Sequence, residues 1–340
     1  MTRRLWLCAV ILSLVALPAL ARRRAIMPRG PGACAPVTLA QATYAALFAT
    51  DGQFFYFVDE MGVLSRVPKL GGEVQPLADP FEEWLPLSIA VDETHVYIGA
   101  LPLEALFIPS PGVILTVPKG GGVAGVLASG VSMPLTLALD ATHLYWAAAG
   151  TFDFNEETIA SDGKIERITK DGAVRDTLAS DLSVPIGLAL DATDVYFGES
   201  GSADDDDSVG LFRVAKSGGA VVTVAEEVAV GPLVLDGNTL VLLGSTPEAM
   251  GVLAVEKSGA SPVRVLYSSE LIEAGLRVAD RRAYFLQAAV GPGSELAWVS
   301  VDAPAEPVSV RNHLDGDDFL LDGCAAIVNT VDGDVVRTAR

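Results

Sequence analysis

Histidine and cysteine are scarce in this chain, with three of each in 340 residues. His95, His143 and His313 stand far apart, no HExxH or CxxC spacing occurs, and transition-metal chemistry therefore has no sequence support. A Ser-His-Asp arrangement is missing too. Gly120-Gly121-Gly122 lacks the Lys-Ser/Thr and the strand-to-helix setting of a phosphate loop and reads as a hairpin turn. No positive signal for an enzyme emerges. Basic residues are outnumbered, 23 Lys and Arg against 43 Asp and Glu, for a net charge of −20. A surface of that sign repels nucleic acid and anionic lipid. No sustained helical period is present. What is abundant is hydrophobic residues, half of the chain although only 7% is aromatic, which excludes general disorder and suffices for a large core.

The first residues, MTRRLWLCAVILSLVALPALA, pair a basic start at Arg3 and Arg4 with an apolar run that ends in Ala19-Leu20-Ala21. That pattern predicts a secretion signal over residues 1–21, followed by a short linker over 22–34. Two alternatives share the pattern. The run from Leu5 to Ala21 stands at the short edge of a bilayer span and Arg22, Arg23 and Arg24 follow it, as in an uncleaved anchor. "TRRLWL" also has a twin-arginine look, although the short basic region and strongly apolar run fit the general secretory route better. Cys8 lies inside the apolar run and Cys34 has no apolar stretch upstream, so neither marks a lipid attachment. The expected product is a soluble periplasmic or extracellular monomer.

Internal repetition dominates the rest. "IAVDETHVYI" at Ile89 to Ile98 is nearly copied by "LALDATHLYW" at Leu137 to Trp146 and by "LALDATDVYF" at Leu188 to Phe197. An acidic turn residue recurs at Asp51, Asp92, Asp140, Asp191, Asp236, Asp280 and Asp322, which defines seven units of roughly 45 residues. Each unit opens with a short apolar strand ending at the Asp. A second strand follows, with an aromatic five residues on at Tyr56, Tyr97, Tyr145 and Tyr196; Tyr284 comes one residue early. After a loop of variable length a Gly starts a third strand, a Gly turn follows, and a fourth strand closes the unit. Four short alternating strands per unit predict an all-β propeller of seven four-stranded blades over residues 35–340. Units five and six are degenerate, and six blades is the alternative count.

The last unit supplies strands at Phe319 to Leu321, Ala325 to Thr330 and Asp334 to Thr338 and then stops. "PVTLA", Pro36 to Ala40, is expected to complete it from the other end of the chain. In an up-and-down blade this brings Cys34 and Cys324 to one face. A disulfide between them is the expectation for an exported protein, with an upper figure of roughly 5 to 6 kcal/mol for so long a loop.

The pattern "P-x-x-L-A-x-D-x-T-H-x-Y-W" followed by "G-x-I-x-x-V-P-K-x-G-G" resembles secreted bacterial β-propellers akin to the YWTD, NHL and TolB-like groups. The resemblance covers residues 35 to 340. It implies a propeller that serves mainly as a binding platform, with a minority of enzymes in such groups.

His95 and His143 occupy one repeat position that Asp194 fills in the next unit, so they are spread around a ring and read as turn residues. The repeated Asp reads as a turn residue as well, and Lys69, Lys119, Lys170, Lys216 and Lys257 read as solvated edge residues. What varies between units points to function. The loops between second and third strands are short in units one and seven and long in two, three and four: "ALPLEALFIPSP", "AAGTFDFNEETIASD" and "ESGSADDDDSV". They share a face with connections such as "DPFEEWLP". The candidate ligand-binding residues are Trp84, Asp153, Phe154, Glu156, Glu157, Asp204, Asp205, Asp206 and Asp207, with Glu82, Glu83 and Phe152 in the same cluster. The expected function is a non-enzymatic binding module for a protein, a glycan or a cationic ligand, with no required cofactor. A Ca²⁺ site built from loop carboxylates is the minor variant, since "SADDDDS" lacks the spaced ligands of an EF-hand loop. The alternative is a Ca²⁺-dependent hydrolase or lyase with its site in the central channel; the first strands there offer mostly Leu, Ala, Val, Gly and Ser, which argues against it.

Overall fold

The structure, a computed structural model, describes residues 37–339 apart from 41–46, 60, 80, 107, 154–157, 202–208, 289–293, 312–315, 323, 324 and 331–334. Its described residues form seven four-stranded sheets, all built from antiparallel neighbours, plus one two-stranded ribbon. Blade 3 serves as the template: Pro134–Leu139, His143–Ala148, Gly163–Thr169 and Arg175–Leu182, hydrogen-bonded in that order. The second strands are almost wholly buried, as in His95–Pro102 of blade 2, while the outer fourth strands are largely exposed. Burial on both faces is why these second strands read as near-continuous apolar runs.

The core consists of layers between blades. One layer joins Tyr56 and Leu64 of blade 1 to Val96, Ile98 and Leu115 of blade 2. Another joins Tyr97 and Ile114 of blade 2 to Leu144 and Trp146 of blade 3, and a third joins Tyr145 of blade 3 to Val195 and Phe197 of blade 4. A lone blade would leave such faces in water, so the repeats stabilise one another and none is a folding unit.

The ring closes as the sequence predicts. Val37–Ala40 hydrogen-bonds to Val335–Ala339, beyond which lie Ala325–Thr330 and Gly316–Asp322. Leu39 of this borrowed strand is buried against Phe55, Phe57 and Val67 of blade 1, and Gly316–Asp322 runs beside the first strands of both blade 6 and blade 1. Cys34, Cys324 and the expected signal over 1–21 lie outside the described residues. The strands that follow the two cysteines flank Val335–Ala339 on its two sides, with Val37 opposite its middle residue, Arg337, and Ala325 opposite its last, Ala339.

One unit departs from the template for a visible reason. In blade 6 the hairpin closes through Asp280 and Arg281, both with positive φ, between the paired residues Ala279 and Arg282. This is the two-residue geometry whose twist suits a hairpin. The turn has the same two-residue length as the Asp turns, but Ala279 stands where Asp140 and Asp236 stand and the acid comes one place later, which accounts for Tyr284 following Asp280 by only four residues.

Candidate functional site

The two faces of the ring are chemically different. On the face of the turns between first and second strands, each repeated Asp does more than close a turn. Asp140 Oδ1 accepts hydrogen bonds from the backbone N–H of Thr142 and His143, both at 2.9 Å. Its Oδ2 accepts from the Tyr145 hydroxyl at 2.8 Å and pairs with Lys216 Nζ of blade 4 at 2.9 Å. The same set recurs with Lys119 on Asp51, Lys170 on Asp92 at 3.0 Å and Lys257 on Asp191 at 2.7 Å. In every case the cation comes from the next blade. In blade 5 an arginine takes over, Arg281 of blade 6 reaching Asp236 at 2.9 Å.

The expectation that these lysines are solvated edge residues is thereby corrected for Lys119, Lys170, Lys216 and Lys257. Burial pushes the Asp51, Asp92, Asp140 and Asp191 carboxyls up, but the lysine, the backbone N–H donors and the tyrosine hydroxyl outweigh it and hold all four well below the usual range. Burial and the Asp140 carboxylate together push the Tyr145 phenol up to about 12; burial with Asp92 raises Tyr97, and burial with Asp191 raises Tyr196. His95 and His143 have the turn role expected of them, each with Nδ1 against the preceding threonine hydroxyl, at 2.9 and 2.7 Å. An open depression of about 740 Å³ spans the turns of blades 1 to 3 on this face. The aspartates that line it are already engaged by their clasps.

The opposite face carries the long loops. In blade 2 the chain leaves the second strand at Pro102 into a 3₁₀ turn, Leu103–Leu106. That turn is tied to the blade connection by Leu103 N–H donating to Glu83 O at 3.0 Å. In blade 3 the loop is no irregular excursion: Phe152 pairs with Ile159 and Asp153 with Thr158 in a short antiparallel ribbon. Its foot is fastened where Asp162 accepts from both the Thr151 N–H and the Thr151 hydroxyl, each at 2.7 Å.

Between the 3₁₀ turn and the foot of the ribbon lies a pocket of about 170 Å³, whose walls include Leu101, Ala105, Ser110, Ser132, Met133 and Thr151. Met133 is buried there with φ of 48°. Holding a non-glycine residue in the left-handed region costs on the order of 1 kcal/mol or more, so the surrounding packing must impose it.

Of the sequence candidates, Trp84 is half-buried and packs on the core layer of blades 1 and 2 rather than standing free. Asp153 is placed in the ribbon. Phe154, Glu156, Glu157 and Asp204 to Asp207 lie outside the described residues. The pocket residues Ser110, Ser132 and Met133 were not singled out by the sequence: Ser110 stands in an unrepeated loop, and Ser132-Met133-Pro134 repeats as Ser183-Val184-Pro185, which marks a strand entrance rather than a site. Among the described residues no group of three or more His, Cys, Asp and Glu could hold a metal ion.

These features define the class: the protein is a β-propeller repeat protein. Solved structures with the same architecture include virginiamycin B lyase from Staphylococcus aureus, with a TM-score of 0.66 at 11% identity over 90% of this chain and 98% of that one. YCF48 bound to D1 peptide gives 0.61 at 12% identity over 96% of this chain and all of the other. A puromycin-hydrolyzing peptidase from Mycobacterium tuberculosis gives 0.57 at 13% identity over 77% of this chain, which spans only 44% of that protein. At such identities the likeness is one of fold, shared by binding proteins and enzymes alike. No protein-family model and no curated protein matches the sequence.

Proposed function

We propose that the protein is an exported, non-enzymatic binding module that engages a protein partner through the long-loop face of blades 2 to 4. The observation that carries this reading is the meeting of two long loops, those of blades 2 and 3, at one pocket. The opposite face supports it by contrast, because its repeated carboxylates are committed to joining blades. YCF48 offers a precedent in the same fold, having been solved with a peptide bound. Residues 1–21 direct export in this reading, and Cys34 and Cys324 form a bridge at the closing blade.

The test is a thermal-shift screen of the full chain against Ca²⁺, glycans and peptides. It is repeated with residues 152–159 replaced by a Gly-Ser turn and, separately, with Asp204 to Asp207 changed to Asn. Stabilisation by peptides that disappears in the ribbon-deleted protein, at unchanged intrinsic melting temperature, is the expected result. Metal-dependent hydrolytic or lyase turnover, or peptide responses indifferent to both changes, would reject the reading.

A further inference from the structure

The pocket beside the ribbon is small, apolar in its depth and polar at its wall. Its volume of about 170 Å³ is close to the roughly 150 Å³ cavity that accepts a benzene-sized group. It is well below the roughly 300–1,000 Å³ of sites that take whole cofactors or drug-sized molecules. One side chain fits; a metabolite of ordinary size does not. Leu101, Ala105 and Met133 are buried apolar walls. Ser110 and Ser132 stand on the wall with hydroxyls that make no hydrogen bond among the described residues, so donors and acceptors remain for a main chain passing over the opening. The same loop leaves Ile108 57% and Leu103 41% exposed, which extends the apolar surface outward.

Charge narrows the partner. Glu82 and Glu83 in the blade connection and Glu104 in the 3₁₀ turn are exposed on this side, in a chain of net charge −20. Lys164, in the strand after the ribbon, is the exposed cation nearest in sequence to Asp162, and Asp162 itself is engaged by Thr151.

We infer that the pocket takes one aliphatic or aromatic side chain of a polypeptide partner whose flanking residues are basic. It is the anchor point of the binding face proposed above, and the inference rests on that reading. Exposed acids in the adjoining connection and 3₁₀ turn, beside a single apolar socket, give steering from the charges and register from the anchor. Met133 shares its left-handed backbone with Val184 at the equivalent place in blade 4, so this wall belongs to the repeated scaffold and stands before the partner arrives, which removes the ordering cost of forming it on contact.

The experiment titrates the full chain with nine-residue peptides of Gly and Lys that differ only in a central Leu or Ala, followed by NMR of the methionine methyl groups and by fluorescence anisotropy. The Leu peptide binds about tenfold or more tightly than the Ala peptide, shifts the Met133 methyl and weakens with added salt. Ser110→Trp fills the pocket and abolishes the Leu advantage; Glu104→Lys weakens both peptides several-fold. Equal affinity of the two peptides, an unmoved Met133 methyl or a Leu advantage that survives Ser110→Trp in a folded protein would overturn the anchor. If the peptides bind equally yet respond to Glu104→Lys, the socket falls while the binding face stands. If no peptide perturbs this face, both fall.

Discussion

Asp140 is a single carboxylate that serves five donors, two backbone N–H groups, the Thr142 hydroxyl, a phenol and an ammonium from the next blade. Substitution by Ala strands all five and is expected to cost about 2–4 kcal/mol, whereas Asn keeps an acceptor for the turn and costs about half of that. Lys216→Met removes only the partly buried ion pair and costs about 0.5–1.5 kcal/mol. Urea denaturation of the three variants orders them.

The pH dependence follows from the same group. A carboxyl held below its usual value contributes stability that is fully present above the unfolded aspartate value of about 4 and is lost as pH falls through the lower folded value. The depression of Asp51, Asp92, Asp140 and Asp191 thus predicts a denaturation midpoint that is flat near neutrality, declines below pH 4, and declines less in Asp140→Ala. The tyrosines mirror this at the alkaline end. Their raised values favour the neutral phenol, whose stabilisation is present below about pH 10 and lost as pH rises through the folded value. Ultraviolet titration of the intact ring is expected to show Tyr145 ionising at about 12, with Tyr97 and Tyr196 likewise above the ordinary phenol value.

At the scale of strands and turns, much was readable in advance. Asp followed five residues on by Tyr, then a Gly opening the third strand, reported local geometry, and local geometry repeats in register with the sequence. The lysines were misread because their partners lie in another blade, 76 positions away for Lys216 and Asp140 and 66 for Lys257 and Asp191. Aligning the repeats reveals equivalence, not which neighbour each residue faces. The pocket was only half legible: unusual loop lengths pointed to this face, but Ser132 and Met133 repeat as Ser183 and Val184 and so read as scaffold, and Ser110 has no motif. Close approach between strands gives a sharper test. A Cβ at Gly198 would overlap the Val230 side chain of blade 5, so Gly198→Ala is expected to cost about 1–3 kcal/mol. Gly120 meets nothing within 4 Å, and Gly120→Ala should stay within about 0.5 kcal/mol of the parent by calorimetry.

For the molecule as a whole, stability depends on closing the ring between residues nearly the full chain apart. Leu39 is buried in the layer between the closing blade and blade 1. Leu39→Ala should cost about 2–4 kcal/mol and should lower hydrogen-exchange protection first in the blades on either side of the closure, blades 7 and 1. Cys34 and Cys324, if bridged, restrain the same closure. Non-reducing peptide mapping of the exported chain should recover them as one linked fragment, and free thiols at both positions would exclude the bridge.

The directional clasp has a consequence for how such a ring comes to exist. Each of blades 2 to 5 contributes an acceptor to the blade after it and a donor to the blade before it. A duplicated unit would therefore bring both halves of the joint with it and could be inserted beside its parent without new chemistry. Polymer growth by tandem duplication then meets no mismatch until the two ends must find each other, and only there does the chain need a strand taken from its opposite terminus.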